Sequence, residues 1–376
     1  MSTSTDLPAE MPVPVKKKKK KSRARIFITA FLASAFVGTI IVAVAGSVFA
    51  SRVVIVPPEI PTVSAANIPR PTSPSQEEYI VPWDYGLIAP ARFTDEDRRE
   101  NFFTFMIIGL NEGTNANTVM VASYNANEQK AYLVSIPRDS LIDVQRFGRK
   151  LGSSYIAGSA GDRGRAGGIQ TLQRDIQTVI GFVPDFYIMI DYDAFFAIID
   201  AVGGIEIYVP FHMRYEDPHQ DLFINIPPGL QLMDSETALH FSRFRQTNIE
   251  FARLGYRSLP NSDYGRIENQ QLVIIAVIEK LLSPQSLLML PEFVDIFNET
   301  VDSNLTVGNM LWFARELNNI RNSDALSTYT TPMAGTSGAP MWYEILHAPG
   351  VLELVNRTIN PFYRDIEMRD ISIVSN

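Results

Sequence analysis

The chain has 376 residues, of which 46% are apolar and 20% charged, ordinary fractions for a globular protein with a substantial core. It has no cysteine, which excludes thiol catalysis, cysteine-ligated metal and disulfides, and suits an exported protein whose folding does not depend on redox conditions. Residues 1 to 52 hold nine Lys/Arg against two Asp/Glu, leaving 24 against 39 for the remainder. An acidic remainder is a poor generic binder of nucleic acid, so no nucleic-acid partner is expected.

Residues 1–25 form a basic tail that ends in Lys16 to Lys21, Arg23 and Arg25, directly before an uncharged apolar run over 26–50. About 25 helical residues at roughly 1.5 Å each exceed a hydrocarbon core of about 30 Å, so the run can span a membrane with some tilt. The positive flank places the N-terminus in the cytoplasm and everything after Arg52 outside. A cleaved signal peptide is the rival reading, because Val48-Phe49-Ala50 before Ser51 resembles a small-residue cleavage site. The length of the run favours an uncleaved anchor.

Residues 51–98 are rich in proline and small polar residues and read as an extended linker, with a Tyr79 to Leu87 patch able to dock on the folded domain. That domain is expected over 99–350, with a tail over 351–376. Its first three apolar runs, FFTFMIIGL, TVMVASYN and KAYLVSIPRD, predict consecutive strands. A glycine-rich loop from Gly148 to Gly168 leads into a helix over Ile169 to Ile180. Phe186 to Ile190 predicts a strand, Ala194 to Val202 a helix closed by Gly203-Gly204, and Ile205 to Val209 another strand. Further helices are expected at Gly265 to Leu282, near Leu287 to Phe297, and at Val307 to Ile320. Strands interleaved with helices imply a layered α/β domain with helices on both faces of a sheet.

Two arginine motifs stand out. Arg243 and Arg245 lie two apart, so on an extended segment both would point to one side, and Arg266 and Gln270 would share a face if they open a helix. Several permanently charged forks aimed at one place require an anion between them, with phosphate or pyrophosphate the natural candidate. Separate pairing with surface carboxylates is the alternative. About a hundred residues upstream, Ser135-Ile136-Pro137-Arg138-Asp139 ends a predicted strand, where either a turn or a site is expected.

The chain is identified as similar to the LytR-CpsA-Psr family through IIGLNEGTNANTVMV at 107–121, SIPRD at 135–139, KLGSSY at 150–155, DAVGGIEIYVP at 200–210, PPGLQLMDSETALHFSRFR at 227–245, SDYGRIENQQ at 262–271 and VDSNLT at 301–306. These keep the family's order over about residues 101–345, behind a basic tail and one apolar span. The resemblance implies a central mixed β-sheet flanked by helices. It also implies a phosphotransferase that moves a glycopolymer from a polyprenyl-pyrophosphate carrier onto a cell-wall acceptor polymer. Arg138, Arg243, Arg245 and Arg266, with Gln270 and Asp263, would then form the catalytic set, and Lys150 and Asp139 would assist in binding substrate. Apolar helices would leave a pocket for the membrane lipid's prenyl tail.

Departures from the family pattern bear on Mg2+. Asn111 and Asn117 stand where the family has metal-holding aspartates, Gly113 and Asn115 where it has arginines, and Asn269 where arginine often precedes the glutamine. Asp263, Asp139 or Glu112 could take over as ligand. The segment from Gln246 to Asn261 is longer than the family's usual link and is expected to form a lid or to contact the acceptor. His212, His219 and His240 lack the spacing of a zinc site and read as ordinary polar residues. The leading reading is an anchored extracytoplasmic transferase or pyrophosphate hydrolase. The alternative is a lipid-pyrophosphate binder that has lost the metal-dependent step. A DNA-binding regulator is disfavoured by topology and charge.

Overall fold

Alternation of apolar side chains gives the first three strands two usable faces. They form one antiparallel meander: β1 (Phe102–Asn111), β2 (Asn115–Asn125) and β3 (Lys130–Ser135). The computed structural model describes residues 58–59, 92–111, 115–144, 146, 148–281, 290–317, 325–338 and 341–374. The basic tail, the apolar run at 26–50, the Tyr79 to Leu87 patch, Glu112 and Gly113 lie outside the described residues. Among the described residues no helix is long and apolar enough to cross a membrane.

After β3 come a short helix α1 (Ser154–Ser159), the long helix α2 (Gly164–Ile180), β4 (Phe186–Ile190) and α3 (Tyr192–Ala201). Two small antiparallel pairs come next, built from β5 (Ile205–Val209), β6 (Met213–Asp217), β7 (Leu222–Ile226) and β8 (Gly229–Met233): β5 pairs with β8, and β6 with β7. Then come α4 (Ser235–Arg243), the short α5 (Ile249–Arg253), α6 (Ser262–Leu281), α7 (Leu290–Thr300), β9 (Asp302–Ser303) and α8 (Val307–Leu317). The chain closes with β10 (Leu326–Thr330), the hairpin of β11 (Met333–Ser337) and β12 (Tyr343–Leu346), and α9 (Ala348–Thr358). The main sheet runs β10-β3-β2-β1-β4-β9. It is mixed, because β4 joins β1 and β10 joins β3 in parallel, whereas the other pairings, β4 with β9 included, are antiparallel.

Period two in β1 sorts the core. Met106, Ile108 and Leu110 pack with α2 and α9, including Ile169, Ile176, Val351 and Val355. Phe103 and Phe105 point the other way, onto Trp312 and Phe313 of α8. A separate apolar cluster joins the β5–β8 pairs to α4 and α6 through Ile207, Met213, Phe241, Phe244 and Val273. Burial of such side chains contributes about 1.5 to 3 kcal/mol each, which is why patterning decides the layering.

The segments expected from sequence to be linker end and tail pack into the main core. Phe93 stacks on Phe362 with ring centroids 4.2 Å apart, and Ile359, Phe362, Ile366 and Ile371 are buried. Arg98 is held by Asp185 at 2.6 Å, and Asp185 also accepts from the backbone and hydroxyl of Thr104. Apolar runs become short beyond residue 350, which hides this packing in the sequence, although Val351, Leu354 and Val355 have helical spacing.

Candidate functional site

Arg138 owes its position to a glycine. Gly152 donates its N–H to the Arg138 carbonyl at 2.7 Å, and a Cβ there would lie 2.7 Å from the Ala116 carbonyl oxygen and 3.0 Å from Arg138 Cβ. Only glycine allows that approach. The same turn brings Lys150 Nζ to 2.6 Å from Asp139 Oδ1, while Arg138 Nε sits 3.5 Å from Asp139 Oδ2. Arg138 also donates to the side-chain oxygen of Asn117 on β2.

Arg243 is the last residue of α4, whose N-cap Asp234 accepts from the Thr237 N–H. It therefore does not lie on an extended strand. Phe244 leaves the helix at φ −62° and ψ 134° and buries its ring in the second core cluster. With Phe244 committed inward, both Arg243 and Arg245 line the same cleft. Arg243 donates to Gln220 Oε1 at 3.1 Å and lies over the Tyr192 ring at 5.9 Å.

Helix α6 supplies the next two groups. Gln271 donates to Ser135 Oγ at 2.8 Å and to the Tyr329 carbonyl at 2.9 Å, and buried Asn269 donates to the Phe241 carbonyl at 3.0 Å. These bonds fix the rotation of α6, so that Arg266, Gln270, Val273 and Ile274 form its cleft-lining stripe. The i, i+4 expectation for Arg266 and Gln270 is met, and Asn269 serves as a helix anchor. Asp263, in the first turn where the helix dipole favours a carboxylate, holds Arg266 at 3.1 Å and Arg245 at 3.3 Å.

The cleft has a volume of about 620 Å³ and is lined by β1, β4, α3, α4, α6 and the β6–β7 pair. Along α6 its lining passes from Arg266 and Gln270 to Val273 and Ile274, a rise of about 12 Å from cation to hydrocarbon. Ile190, Phe195 and Leu239 extend the apolar part. One site thus presents several guanidinium groups and an adjoining apolar channel.

Arg266 is the most constrained cation. Its side chain is 13% exposed, and burial, reinforced by Arg138 and Arg245, pushes its pKa down to about 10 against the opposing pull of Asp263 and Asp139. It remains charged at neutral pH. Its Nε is buried without a hydrogen-bond partner in the protein. Beside it stands Glu344 of β12, which sequence reasoning did not single out. Glu344 is buried, and burial first, then Asp139 and Asp263, push its pKa up to about 7 against Arg266 and Lys150. A lone glutamate inside the apolar run MWYEIL was the available signal.

Magnesium fits poorly. Asn111 Oδ1 accepts from the Asn115 N–H at 3.1 Å, Asn117 is engaged with Arg138, and Asp139 and Asp263 each bridge two cations. Among the described residues no group of three or more His, Asp or Glu is arranged to hold a metal. The donor set present is therefore not that of a magnesium site in the ligand-free protein, since this ion relies on one or two available carboxylates. Of the histidines, His219 lines the cleft, His212 bonds Asn225 at 2.8 Å, and burial lowers the pKa of half-buried His240. The Gln246 to Asn261 segment is tied to β6: Thr247 donates to the Arg214 carbonyl at 2.6 Å, Asn248 bonds both main-chain groups of Glu216, and Arg214 lies over Phe251. Gln246 alone among these residues reaches the cleft.

The fold and cleft define a class: an α/β protein with an arginine-lined cleft that continues into apolar lining. The chain belongs to the LytR_cpsA_psr family, whose profile matches residues 93–359. It is 24% identical over 282 residues to Biofilm regulatory protein A of Streptococcus mutans, covering 69% of this chain and 63% of the relative. It is 26% identical over 218 residues to the polyisoprenyl-teichoic acid–peptidoglycan teichoic acid transferase TagU of Enterococcus faecalis, covering 55% and 63%. The matches thus span less than two thirds of these relatives. Among solved structures, TagV of Bacillus subtilis superimposes with a TM-score of 0.56 at 18% identity over 69% of this chain and 96% of that one. A Streptococcus agalactiae protein, gbs0355, gives 0.59 at 19% identity over 73% and 92%. These likenesses establish the fold.

Proposed function

We propose that this chain is a membrane-anchored, extracytoplasmic phosphotransferase that moves a glycopolymer from a polyprenyl-pyrophosphate carrier to a cell-wall acceptor. The observation that carries the reading is the convergence of Arg138, Arg243, Arg245 and Arg266, from three separate segments, on one cleft that continues into apolar lining. A pyrophosphate with a prenyl tail has that order of charge and hydrocarbon. Two relatives are named as polyisoprenyl-teichoic acid–peptidoglycan teichoic acid transferases, which supports this reading. The basic tail and the apolar run at 26–50 would hold the domain at the membrane that supplies the lipid.

In phosphoryl transfer an acceptor hydroxyl attacks the phosphorus and the lipid monophosphate leaves, so negative charge spreads over the transferring oxygens. Arg138 and Arg266 neutralise that charge from the buried side, and Arg243 and Arg245 from the open side. Asp263 orients two of these forks, Asp139 with Lys150 orients Arg138, and Gln270 offers an amide to a phosphate oxygen. Magnesium, where it takes part, would bind with the pyrophosphate and add charge neutralisation. The engaged amides of Asn111 and Asn117 favour a second reading, a lipid-pyrophosphate binder without turnover.

Mass spectrometry of the purified full chain, with thermal shift on adding a polyprenyl phosphate, tests the shared part of both readings. Bound lipid and a raised Tm are expected. Neither would be seen if the cleft were an unrelated groove.

A further inference from the structure

Glu344 lies behind the arginines, 6% exposed, with its Oε2 buried and without a hydrogen-bond partner in the protein. Its backbone is strapped to the arginine-bearing turn on both sides: the Glu344 N–H donates to the Asp139 carbonyl at 2.9 Å, and the Leu141 N–H donates to the Glu344 carbonyl at 2.8 Å. The strap fixes the Glu344 backbone beside that turn. It lines a small space with Arg138, Asp139, Asp263, Arg266 and Gln270, and both Glu344 Oε2 and Arg266 Nε are buried without a hydrogen-bond partner in the protein. Buried polar atoms left unsatisfied in neighbouring residues of one site are costly, and each calls for an explanation.

The charges facing Glu344 come from every element packed around it. Asp139 and Arg138 stand on the turn after β3, Lys150 on the segment before α1, and Asp263, Tyr264 and Arg266 on the first turns of α6. Asp139 and Asp263 are each held between two cations. Among the described residues Glu344 has no ion pair of that kind within 4.0 Å, and its Oε2 makes no hydrogen bond in the protein.

Resting on the anion-site reading above, we propose that Glu344 is the proton-exchanging residue of that site: it takes up a proton from solvent when an anion fills the arginine cluster and releases it when the anion leaves. In the empty site an ionised Glu344 partly balances the surrounding guanidinium groups. An arriving phosphate brings its own negative charge to the same cations, and two like charges in a buried space disfavour each other's ionised forms. Glu344 is the group able to yield, because it has no fixed partner to give up. The carboxyl then stands neutral beside Arg266 for as long as the anion is bound, and the whole cationic field is directed at the ligand. It is a positioning residue, acting on the ligand through Arg266 and Arg138.

By linkage, an anion that protonates Glu344 must bind more weakly as pH rises through the pKa of that group, which stands near 7 in the empty site. The probe is inorganic sulfate, whose charge stays fixed through neutral pH, unlike that of phosphate. Sulfate is titrated calorimetrically into the full chain in detergent between about pH 6 and pH 8.5, in two buffers of different ionisation enthalpy. A raised anion-bound pKa by about one unit corresponds to roughly a tenfold loss of affinity across that range. The wild type is expected to show that loss together with net proton uptake. Glu344→Gln, which mimics the protonated form, is expected to bind at high pH as the wild type does at low pH, with most of the uptake abolished. His219 also lines the cleft, so the difference between wild type and Glu344→Gln, and not the wild-type slope alone, carries the result. Equal slopes and equal proton uptake in the two proteins overturn the proposal while leaving the anion site intact. Absence of sulfate or pyrophosphate binding to either protein at any pH overturns the anion site, and this proposal with it. Should Glu344→Gln not fold, the wild type alone decides in infrared difference spectra: a protonated-carboxyl band that grows on adding sulfate supports the proposal, and no such band overturns it.

Discussion

The inner arginines, Arg138 and Arg266, and the outer ones, Arg243 and Arg245, carry the same charge into the same cleft but are held by different physics. Arg266 is 13% exposed and pressed by Arg138 and Arg245, whereas Arg245 is 42% exposed and pairs only with Asp263 in the described ion pairs. Arg243 rests on an amide and an aromatic ring supplied by the β6–β7 pair and α3. A solvated arginine costs the fold little and gains little from an ion pair. A buried one raises the free energy of the empty protein, and an arriving anion recovers that cost. On the proposed function, Arg266, the one strongly buried, would set where the phosphate sits, Arg138 at 30% exposure would back it, and Arg243 and Arg245 would capture the anion.

The largest effect is expected from changing the inner half's amides into carboxylates. Asn117 touches Arg138, and a unit charge about 4 Å from another is worth on the order of 4 kcal/mol at an effective dielectric of 20, an upper-end figure near water. Asn111→Asp combined with Asn117→Asp should raise magnesium affinity and any transfer rate. The unaltered, lipid-free protein should show no micromolar magnesium binding by calorimetry, and finding it would mean that Asp139, Asp263 or Glu112 already serves as ligand.

Next is Arg266→Met, which keeps an unbranched apolar stem and removes the charged guanidinium group. It should weaken pyrophosphate binding by about 3 kcal/mol, the upper end for a hydrogen bond to a charged group, without lowering Tm. A Tm that falls in step with affinity would make Arg266 a structural residue.

Glu344 gives a pH test of stability. Its pKa stands near 7, above the usual glutamate value of 4.5, so the unfolded chain ionises first as pH rises. Stability is unaffected below pH 4.5, falls as pH climbs towards 7, and stays reduced above that. Glu344→Gln should remove this loss, gaining on the order of 2 kcal/mol at pH 8 and nothing at pH 4.5 in denaturant titrations. A gain independent of pH would point to packing instead.

The smallest change belongs to the outer pair. Arg243→Ala and Arg245→Ala should each weaken pyrophosphate binding by about 1.5 kcal/mol, and lysine should restore little because it lacks the fork. Losses equal to that of Arg266→Met would erase the distinction between the two halves.

The sheet was legible where the local pattern was strong. FFTFMIIGL and TVMVASYN are apolar, partly β-branched runs bounded by polar turns, and Ile267, Gln271 and Ile274 announce α6. The β6–β7 pair was not foreseen, since Met213–Asp217 is short and charged and acquires its strand geometry from pairing. The arginines could be named from sequence because they sit in recognisable motifs. Which of them would be buried could not, because Gln271 and Asn269 decide it by fixing the roll of α6 against β3, β10 and α4. Glu344 offered only the cue of a lone glutamate in an apolar run, because Asp139 and Asp263, which raise its pKa, lie far from it in sequence and meet it only in the folded chain.

Whether this cleft holds a polyprenyl pyrophosphate for transfer is measured by incubating the purified full chain with a polyprenyl-pyrophosphate-linked glycan and a cell-wall acceptor, and tracking polyprenyl monophosphate by mass spectrometry. Release of the monophosphate with glycan joined to the acceptor is expected, and loss of both in Arg266→Met. Tight binding of the lipid with no monophosphate over many hours would contradict transfer and leave a carrier-binding protein, and no binding at all would contradict the site itself.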